Sequence, residues 1–401
     1  MNEILKLAWR NLFRNVRRTS ASLITVALGA TGLLVFQGFN TGIMNQYREN
    51  TIHGYYGYGQ IFSKGYYGKV TEKPWENWIE NWNDLDQKLK AQPDIKETFP
   101  RLSFYSFLVK GGINLGGRGE GVLPERENKF FNQLNFIAGK NLQAPDEIIL
   151  GKGLADSLGA KIGDTVTVLT QTIHGQLNGA DLHVAGIFHM GIKAIDDQYF
   201  RISLPQAQSL LDTQKVESIA LDTSGVDSWP KVEKEVLQVS DKLEPVRFEI
   251  LDKVYYQNSV DFLNAQFSFI RLIILLIVAL GIFNTIAVGL LERGGEIGAL
   301  RANGETRLRL FKILLLESGL IGVLGGLFGA VLALALWALL SGGIPMPPGP
   351  GITRHYLIFL EILPIHFVQA LLLPILATAA ASLWPILKLL RKSIPDLLRS
   401  T

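Results

Sequence analysis

The 401-residue sequence contains no cysteine. That excludes disulfide staples, thiolate metal sites and a cysteine nucleophile. Charge is scarce as well: Asp, Glu, Lys and Arg make up 19% of the chain, against roughly 25% in a soluble domain. The 39 basic and 36 acidic residues leave a net charge of +3, too small for the basic footprint of a nucleic-acid binder. There is no Gly-x4-Gly-Lys-[Ser/Thr] loop to cradle ATP phosphates, and no HExxH pair.

Apolar length takes the place of charge. Hydrophobic residues reach 48%, and the mean hydropathy is +0.21. Four stretches, 19–47, 272–291, 318–353 and 362–387, hold no Asp, Glu, Lys or Arg. A hydrocarbon core of about 30 Å needs about 20 apolar helical residues, so each can span a bilayer. The expected spans are 20–43, 266–291, 311–340 and 364–387. The basic start of the chain, followed by an apolar run too long for a signal-peptide core, reads as a retained signal anchor. Lys and Arg number five in 1–19, five in 292–312 and four in 388–401, but only Arg354 falls in 341–363. By the positive-inside rule both termini and the 292–310 loop are cytoplasmic, and 44–265 and 341–363 face outward.

Residues 1–19 predict an interfacial elbow helix, with Lys6, Arg10 and Arg14 on one side and Leu5, Trp9, Leu12 and Phe13 on the other. The 44–265 segment mixes helix and strand patterns. Pro74 opens a helix whose stripe is Trp75, Trp78, Trp82, Leu85 and Leu89. Strands are expected at 103–109, 165–170, 182–188 and 199–204, and a short helix at 153–158. The cluster Gly111 to Gly121 reads as a flexible hairpin tip. Two α/β subdomains are expected, one inserted in the other at about 142–211. A helical pattern reaches back from the second span to about Asp252. Forty such residues would measure about 60 Å and project outward as a stalk; a break near 264–266 is the alternative.

The third span carries Gly322, Gly325, Gly326 and Gly329, and the fourth is rich in alanine. Small residues let helices approach closely in lipid. Trp337 and Trp384 fall near opposite interfaces. Leu340-Ser341-Gly342-Gly343 resembles an ATPase signature but is a coincidence without a phosphate loop. The six histidines, at 53, 174, 183, 189, 355 and 366, form no metal pattern. No nucleophile, base and oxyanion hole assemble, so neither catalytic nor metal-binding residues are expected. Glu292, Glu296, Glu305 and Glu317 flank spans and are expected to pair with Arg293, Arg301 and Arg309. In the 292–307 loop, Ile297, Leu300 and the following Leu308 alternate with charges, and Gly304 marks a turn. Such an amphipathic piece, pressed between two membrane helices, suits docking of a cytoplasmic partner.

Several blocks carry a family resemblance. Leu7-Ala8-Trp9-Arg10-Asn11-Leu12-Phe13-Arg14-Asn15-Val16-Arg17-Arg18-Thr19 looks like an elbow helix entering a first span. Glu296-Ile297-Gly298-Ala299-Leu300-Arg301-Ala302 with Gly304 looks like a coupling helix. Leu316-Glu317 before the glycine-rich span and Pro395-Asp396-Leu397-Leu398-Arg399 at the tail are similar too. So is Ile149-Leu150-Gly151-Lys152-Gly153-Leu154-Ala155-Asp156-Ser157-Leu158-Gly159 with Lys161-Ile162-Gly163-Asp164-Thr165-Val166. Together they resemble the MacB/FtsX-type (type VII) permeases of ABC transporters, which include the LolC/LolE lipoprotein-release subunits. Gly294-Gly295 and Asn303 depart from the family's usual pattern.

The resemblance implies an α-helical membrane domain with four transmembrane helices. A large α/β periplasmic domain of Porter and Sabre-like subdomains would stand on helical stalks. It implies a non-catalytic permease in the bacterial inner membrane, paired with a second permease as homo- or heterodimer. A separate cytoplasmic ABC ATPase subunit would supply ATP and Mg. Its docking residues here would be Glu292, Glu296, Ile297, Leu300, Arg301 and Gly304. The implied work is mechanotransmission: lipoproteins or similar amphiphiles leave the membrane for a periplasmic lipoprotein carrier or adaptor. Acyl chains would enter between the first two spans, near Val35, Phe39 and Ile43 and near Phe267, Ile270 and Ile274. MacB-like efflux of a peptide, toxin or small amphiphile is one alternative. An FtsX-like regulator of a cell-wall hydrolase is another. Membrane lipids, and no nucleic acid, complete the expected surroundings.

Overall fold

The computed structural model describes residues 2–14, 16–69, 72–132, 134–190, 193–253, 257–347 and 356–398. Asn15, Arg354, His355 and Arg399, and part of the expected stalk at 254–256, lie outside the described residues. The chain divides into a membrane unit (1–45, 261–345 and 357–401) and an α/β unit (46–260 and 346–356).

From its start the chain forms α1 (Asn2–Arg14) and α2 (Val16–Thr51), whose last turn loosens into a π-helix at Ile52–Tyr56. Then come β1 (Gly59–Ser63), α3 (Trp82–Lys90), β2 (Ile95–Lys110), β3 (Ile113–Val122), α4 (Pro124–Phe130), β4 (Asn135–Gly139) and β5 (Glu147–Gly151). These are followed by α5 (Lys152–Leu158), β6 (Thr165–Gln171), β7 (Leu177–His189), α6 (Lys193–Asp196), β8 (Tyr199–Ser203) and α7 (Leu204–Leu211). The α/β run ends with β9 (Ser218–Thr223), α8 (Trp229–Val239), β10 (Leu243–Arg247) and α9 (Phe248–Leu251). The chain then returns through α10 (Asn258–Leu291), α11 (Gly294–Ala302), α12 (Arg307–Leu339), β11 (Ile344–Met346), β12 (Tyr356–Ile358), α13 (Pro364–Arg391) and α14 (Ile394–Leu398).

Among the described residues, four helices are long and apolar enough to cross a membrane: Thr19–Tyr56, Asn258–Leu291, Arg307–Leu339 and Pro364–Arg391. The 36 residues of α2 rise about 54 Å at 1.5 Å each, well beyond a ~30 Å core. The 34-residue α10 begins at Asn258 and passes through 264–266 without a break.

The glycines of α12 seat two different helices. A Cβ on Gly322 would lie 2.8 Å from Ile375 Cα, and one on Gly326 would lie 3.2 Å from the Ala370 carbonyl, both on α13. On Gly325 it would lie 2.5 Å from Val26, and on Gly329 2.6 Å from the Ala27 carbonyl, both on α2. Thr31 Oγ1 donates across that seat to the Gly329 carbonyl at 3.0 Å. In lipid the hydrophobic effect does not bring helices together, so van der Waals and hydrogen-bond contact at this range must do so. The elbow helix α1 divides its apolar residues between two faces. Ala8 and Leu12 face the bundle, while Leu5, Trp9 and Phe13 are exposed.

The α/β unit is built on one ten-stranded sheet. Residues 95–101 of β2 pair with β9, and 102–110 pair with β3, with β6 joining at Phe107, Leu108 and Val109. β3 pairs β8, β8 pairs β5, β5 pairs β7, and β7 pairs β6. Those six strands close into a ring, which removes sheet edges. β4 adds to the outside of β7. The expected insert at 142–211 therefore needs correction: the closed lobe starts in the middle of β2, upstream of Leu142. One long strand serves both lobes, and strand periodicity carries no mark of where its partner changes.

Two further expectations are corrected. Only Gly111 and Gly112 form the hairpin turn. Gly117 and Gly119 lie within β3, the first against Leu108 and Phe200 and the second beneath the Phe104 and Phe200 rings, where a Cβ would collide. The tryptophan stripe is not one helix. Pro74–Asn77 is a 3-10 turn, and Ile79 leaves it to exchange both backbone hydrogen bonds with Val216 before α3 begins.

Four charges are sealed where the two lobes meet. Arg101 (β2), Glu120 (β3), Glu127 (α4) and Arg201 (β8) are 1–3% exposed. Arg101 reaches Glu127 at 3.0 Å and Glu120 at 3.2 Å; Arg201 reaches Glu120 at 3.0 Å and Glu127 at 3.2 Å. Tyr199 O–H donates to Glu120, Arg101 donates to the Tyr55 carbonyl, and the Arg101 guanidinium stacks 4.2 Å from the Phe131 ring. Burial pushes the Glu120 carboxyl up, but Arg101, Arg201 and Tyr199 outweigh it and hold it below the usual range. Removing one partner of such a set strands a buried charge at a cost of about 3–5 kcal/mol. Arg101→Ala is therefore expected to lower unfolding stability by that order, measured by thermal melting of the detergent-solubilised chain. A loss under about 1 kcal/mol, the worth of an exposed pair, would contradict the arrangement.

Candidate functional site: the segment between α10 and α12

Beyond Leu291 the chain turns sharply, with Arg293 N–H bonded to the Leu290 carbonyl at 3.2 Å. The turn aims Arg293 back into the membrane unit, where its side chain is 8% exposed. Its Nη1 donates to both oxygens of Glu317 on α12, at 2.7 and 2.8 Å. Its Nε donates to Glu296 of α11 at 2.9 Å, and Glu296 in turn pairs with Arg14 of α1. Burial works against the Arg293 charge, but the Glu317 and Glu296 carboxylates outweigh it and raise its pKa. A line of alternating charge, Arg14–Glu296–Arg293–Glu317, thus joins α1, α11 and α12. Beside it lies a cavity of about 30 Å³, lined in part by Thr19, Ser22, Thr285 and Ser318, large enough for a water molecule.

Two more contacts hold α11. Ile297 is buried among Leu290, Leu310 and Leu397, and Gly298 lets Leu397 of α14 sit directly on its backbone. Arg301 Nη1 donates to the Lys392 carbonyl at 2.7 Å, at the end of α13, where unpaired carbonyls and the helix dipole favour a cation. Gly304 has φ +91°, a conformation that favours glycine, and Thr306 then caps α12 by accepting from Arg309 N–H.

The sequence-derived docking residues therefore divide. Glu296, Ile297 and Arg301 face inward and fix the segment. Glu292, Leu300 and Gly304 are exposed. Leu300 is 39% exposed, and Leu308, at the start of α12, is 64% exposed. The nine-residue α11 buries only the face of Gly294, Ile297 and Gly298, leaving an outward strip of Ala299, Leu300, Ala302, Asn303 and Gly304. Sequence reasoning missed the seat of Leu397 on Gly298; the short apolar tail after Pro395 was its signal.

Of the substrate-lining residues expected between the first two spans, Phe267 is 9% exposed and packs edge-on to Phe36 with centroids 5.9 Å apart. Ile270 and Ile274 follow it on the same half-buried face of α10, and Phe39 and Ile43 are half-buried on α2. Val35 is the exception: it packs against Leu34, Ala333 and Ala370, so Phe36 takes the place foreseen for it.

Four membrane-length helices, an α/β unit entered from the first and left into the second, and a braced segment between the second and third define a polytopic membrane protein. The profile of the FtsX-like permease C-terminal domain matches residues 268–394, and that of the MacB-like periplasmic core domain matches 19–239. The chain belongs to this FtsX/MacB family of ABC-transporter permeases, whose members partner with ATPase subunits. It is 24% identical to the lipoprotein-releasing system transmembrane protein LolE of Haemophilus influenzae, over 77% of this chain and 79% of that one. It is 23% identical to LolC of Neisseria meningitidis serogroup B, over 88% and 82%. With the macrolide export ATP-binding/permease protein MacB of Wolinella succinogenes it shares 24%, over 86% of this chain and 54% of that protein. Among solved structures, the extracellular domain of YknZ aligns with 47% of this chain and 99% of its own, at 13% identity and a TM-score of 0.36. The periplasmic region of MacB from Actinobacillus actinomycetemcomitans aligns with 49% and 90%, at 13% and 0.35.

The Arg293–Glu317 pair is tested by a double-mutant cycle with Arg293→Met and Glu317→Met. Each single change is expected to lower melting stability by about 3 kcal/mol or more, and the double change by less than the sum. Additivity within about 0.5 kcal/mol would show that the two side chains do not interact.

Proposed function

We propose that this chain is the permease subunit of an ATP-driven transporter that extracts lipoproteins or similar lipidated amphiphiles from the bacterial inner membrane toward the periplasm. The observation that carries the reading is the bracing of α11. A nine-residue helix tied to α1, α12, α13 and α14 cannot be pushed without moving the helices that hold it. On this reading both termini and α11 are cytoplasmic, in keeping with the Lys and Arg of those segments, and the α/β unit is periplasmic. A separate ABC ATPase with its ATP and Mg docks on the outward strip of α11. A second permease completes the membrane part, and a periplasmic carrier or adaptor receives the cargo. This chain supplies motion and no catalytic residue. Similarity to LolE and LolC along most of both chains supports a lipidated cargo. The match to the macrolide exporter supports the second reading, efflux of a small amphiphile.

Two experiments test these roles. Leu300→Asp, on the exposed strip, is expected to lower the ATPase activity that co-purifies with the chain by at least about tenfold, equivalent to about 1.4 kcal/mol of docking energy. Undiminished, coupled ATPase would place the docking surface elsewhere. Ile43→Asp and Ile270→Asp each put a group costing about 2.5–3.5 kcal/mol at a helix centre into the proposed acyl path. They are expected to block release of a lipoprotein from proteoliposomes while ATP hydrolysis continues. Normal release would sink the lipoprotein reading, and lost macrolide export in the same variants would favour the second.

A further inference from the structure

In the membrane unit, α2 is held to its neighbours by two unlike kinds of contact. Toward α13 it presents a polar stripe at four-residue spacing. Gln37 Nε2 donates to Gln369 Oε1 at 2.7 Å, Thr41 Oγ1 lies 3.5 Å from His366 Nε2, and Asn45 Nδ2 donates to the Glu361 carboxylate. Beside that stripe, Gly38 and Gly42 form a seat one turn long for the segment leading into α13. Glu361 N–H donates to the Gly38 carbonyl at 3.0 Å. A Cβ on Gly42 would collide with the Phe359 carbonyl oxygen, and one on Gly38 would lie 3.0 Å from Ile362. Trp337 of α12 fastens the same segment by donating to the Leu360 carbonyl at 2.9 Å. With Thr31 bonded to the Gly329 carbonyl, α2 is tied to α12 and α13 along most of its membrane length.

Toward α10, α2 makes apolar contacts within the membrane unit: the Phe36–Phe267 ring edge, Val278 against Gly29, and the Thr25 methyl against Gly281; beyond it, the Tyr47 and Ser259 side chains share a hydrogen bond. Only 17% of the most apolar stretch of α10 is buried, against 44% for the first span. Parting α2 from α13 would strand amide and carboxylate groups in hydrocarbon, where they find few partners. Parting α2 from α10 exchanges side-chain contacts for lipid contacts of nearly the same quality.

We infer that α2 is the stationary wall of the lateral opening and α10 its moving wall. Gln37, Gly38, Gly42 and Asn45 are the positioning residues that hold α2 to α12 and α13. The inference rests on the reading that cargo enters between α2 and α10, and it names which side of that entrance yields.

The absence of native cysteine makes disulfide trapping clean. A Cβ on Gly29 would lie 3.4 Å from Val278 Cβ, close to the roughly 3.5–4.5 Å that a disulfide needs. Gly29→Cys with Val278→Cys reports the α2–α10 seam, and Gly38→Cys with Ile362→Cys reports the seat. Both pairs are placed in the full chain with its co-purifying ATPase in proteoliposomes and oxidised mildly, at rest and during ATP turnover. The α2–α10 pair is expected to cross-link at least about fivefold more slowly during turnover, as an open population grows. The seat pair is expected to stay within about twofold of its resting rate. Gln37→Leu should make the seat pair's rate ATP-dependent, and Gln37→Leu with Gln369→Leu, which puts an apolar contact in place of the polar tie, should leave it so. An ATP-dependent seat with an unchanged α2–α10 pair, or two unchanged pairs, would overturn the inference. The readout needs no cargo. A moving α10 seam in proteoliposomes that release no lipoprotein would therefore reject the cargo assignment and keep the gate.

Discussion

Hydrocarbon gives two apolar helices no reason to leave it for each other, so the membrane unit depends on how closely α12 lets other backbones approach. Four of its five glycines face two ways, Gly322 and Gly326 to α13 and Gly325 and Gly329 to α2. That alternation makes one helix the common partner of two others. A leucine at any of these positions would restore side chains that lipid can replace. Once α2, α12 and α13 lie at this range, hydrogen bonds such as Thr31 to Gly329 become reachable, and they add direction to contacts that dispersion alone leaves free to slide.

The few charges are placed where that packing ends. Glu317 sits on α12 five residues before Gly322, and Arg293 donates to both of its oxygens from the turn after α10. A buried carboxylate without its guanidinium would be costly, so the turn, α11 and α12 keep one arrangement or separate at a large penalty. The α/β unit uses the same device between its lobes, in Arg101, Glu120, Glu127 and Arg201. In both places, ionic contacts replace apolar burial where one element must hold a fixed register against another.

The four spans are legible in the sequence because a helix-length apolar run without charge is rare outside a bilayer. The α12 glycines are legible because their three- and four-residue spacing matches helix geometry. The stripe of Gln37, Thr41 and Asn45 has the same spacing but escapes notice, since uncharged amides do not interrupt an apolar run. Val35 and Phe36 differ by 100° of helical phase, and only a neighbour's position decides which faces α10. The closed ring of six strands is not legible. Its closing pair, β2 with β6, joins residues that the chain separates by more than fifty positions, and local pattern carries nothing about such partners. Arg201 lies inside a run read correctly as strand, with nothing local to show that its charge is sealed among two glutamates.

These placements bear on how a push on α11 would travel. α11 is bonded to α12 through Arg293 and to the end of α13 through Arg301, and α12 holds α2 by backbone contact. Those three helices therefore receive a displacement together, as one body. α10 is joined to α11 covalently across a two-residue turn, yet within the membrane unit it meets α2 through apolar contacts such as Phe36–Phe267 and Gly29–Val278. A displacement shared by α2, α12 and α13 and not followed by α10 appears at the α2–α10 seam, where the restoring force is weakest. At that seam Phe36 meets Phe267 edge-on, a contact that lipid can replace. On the proposed reading, parting the two helices within the membrane unit exchanges side-chain contacts for lipid contacts, so the step costs little and can be reversed.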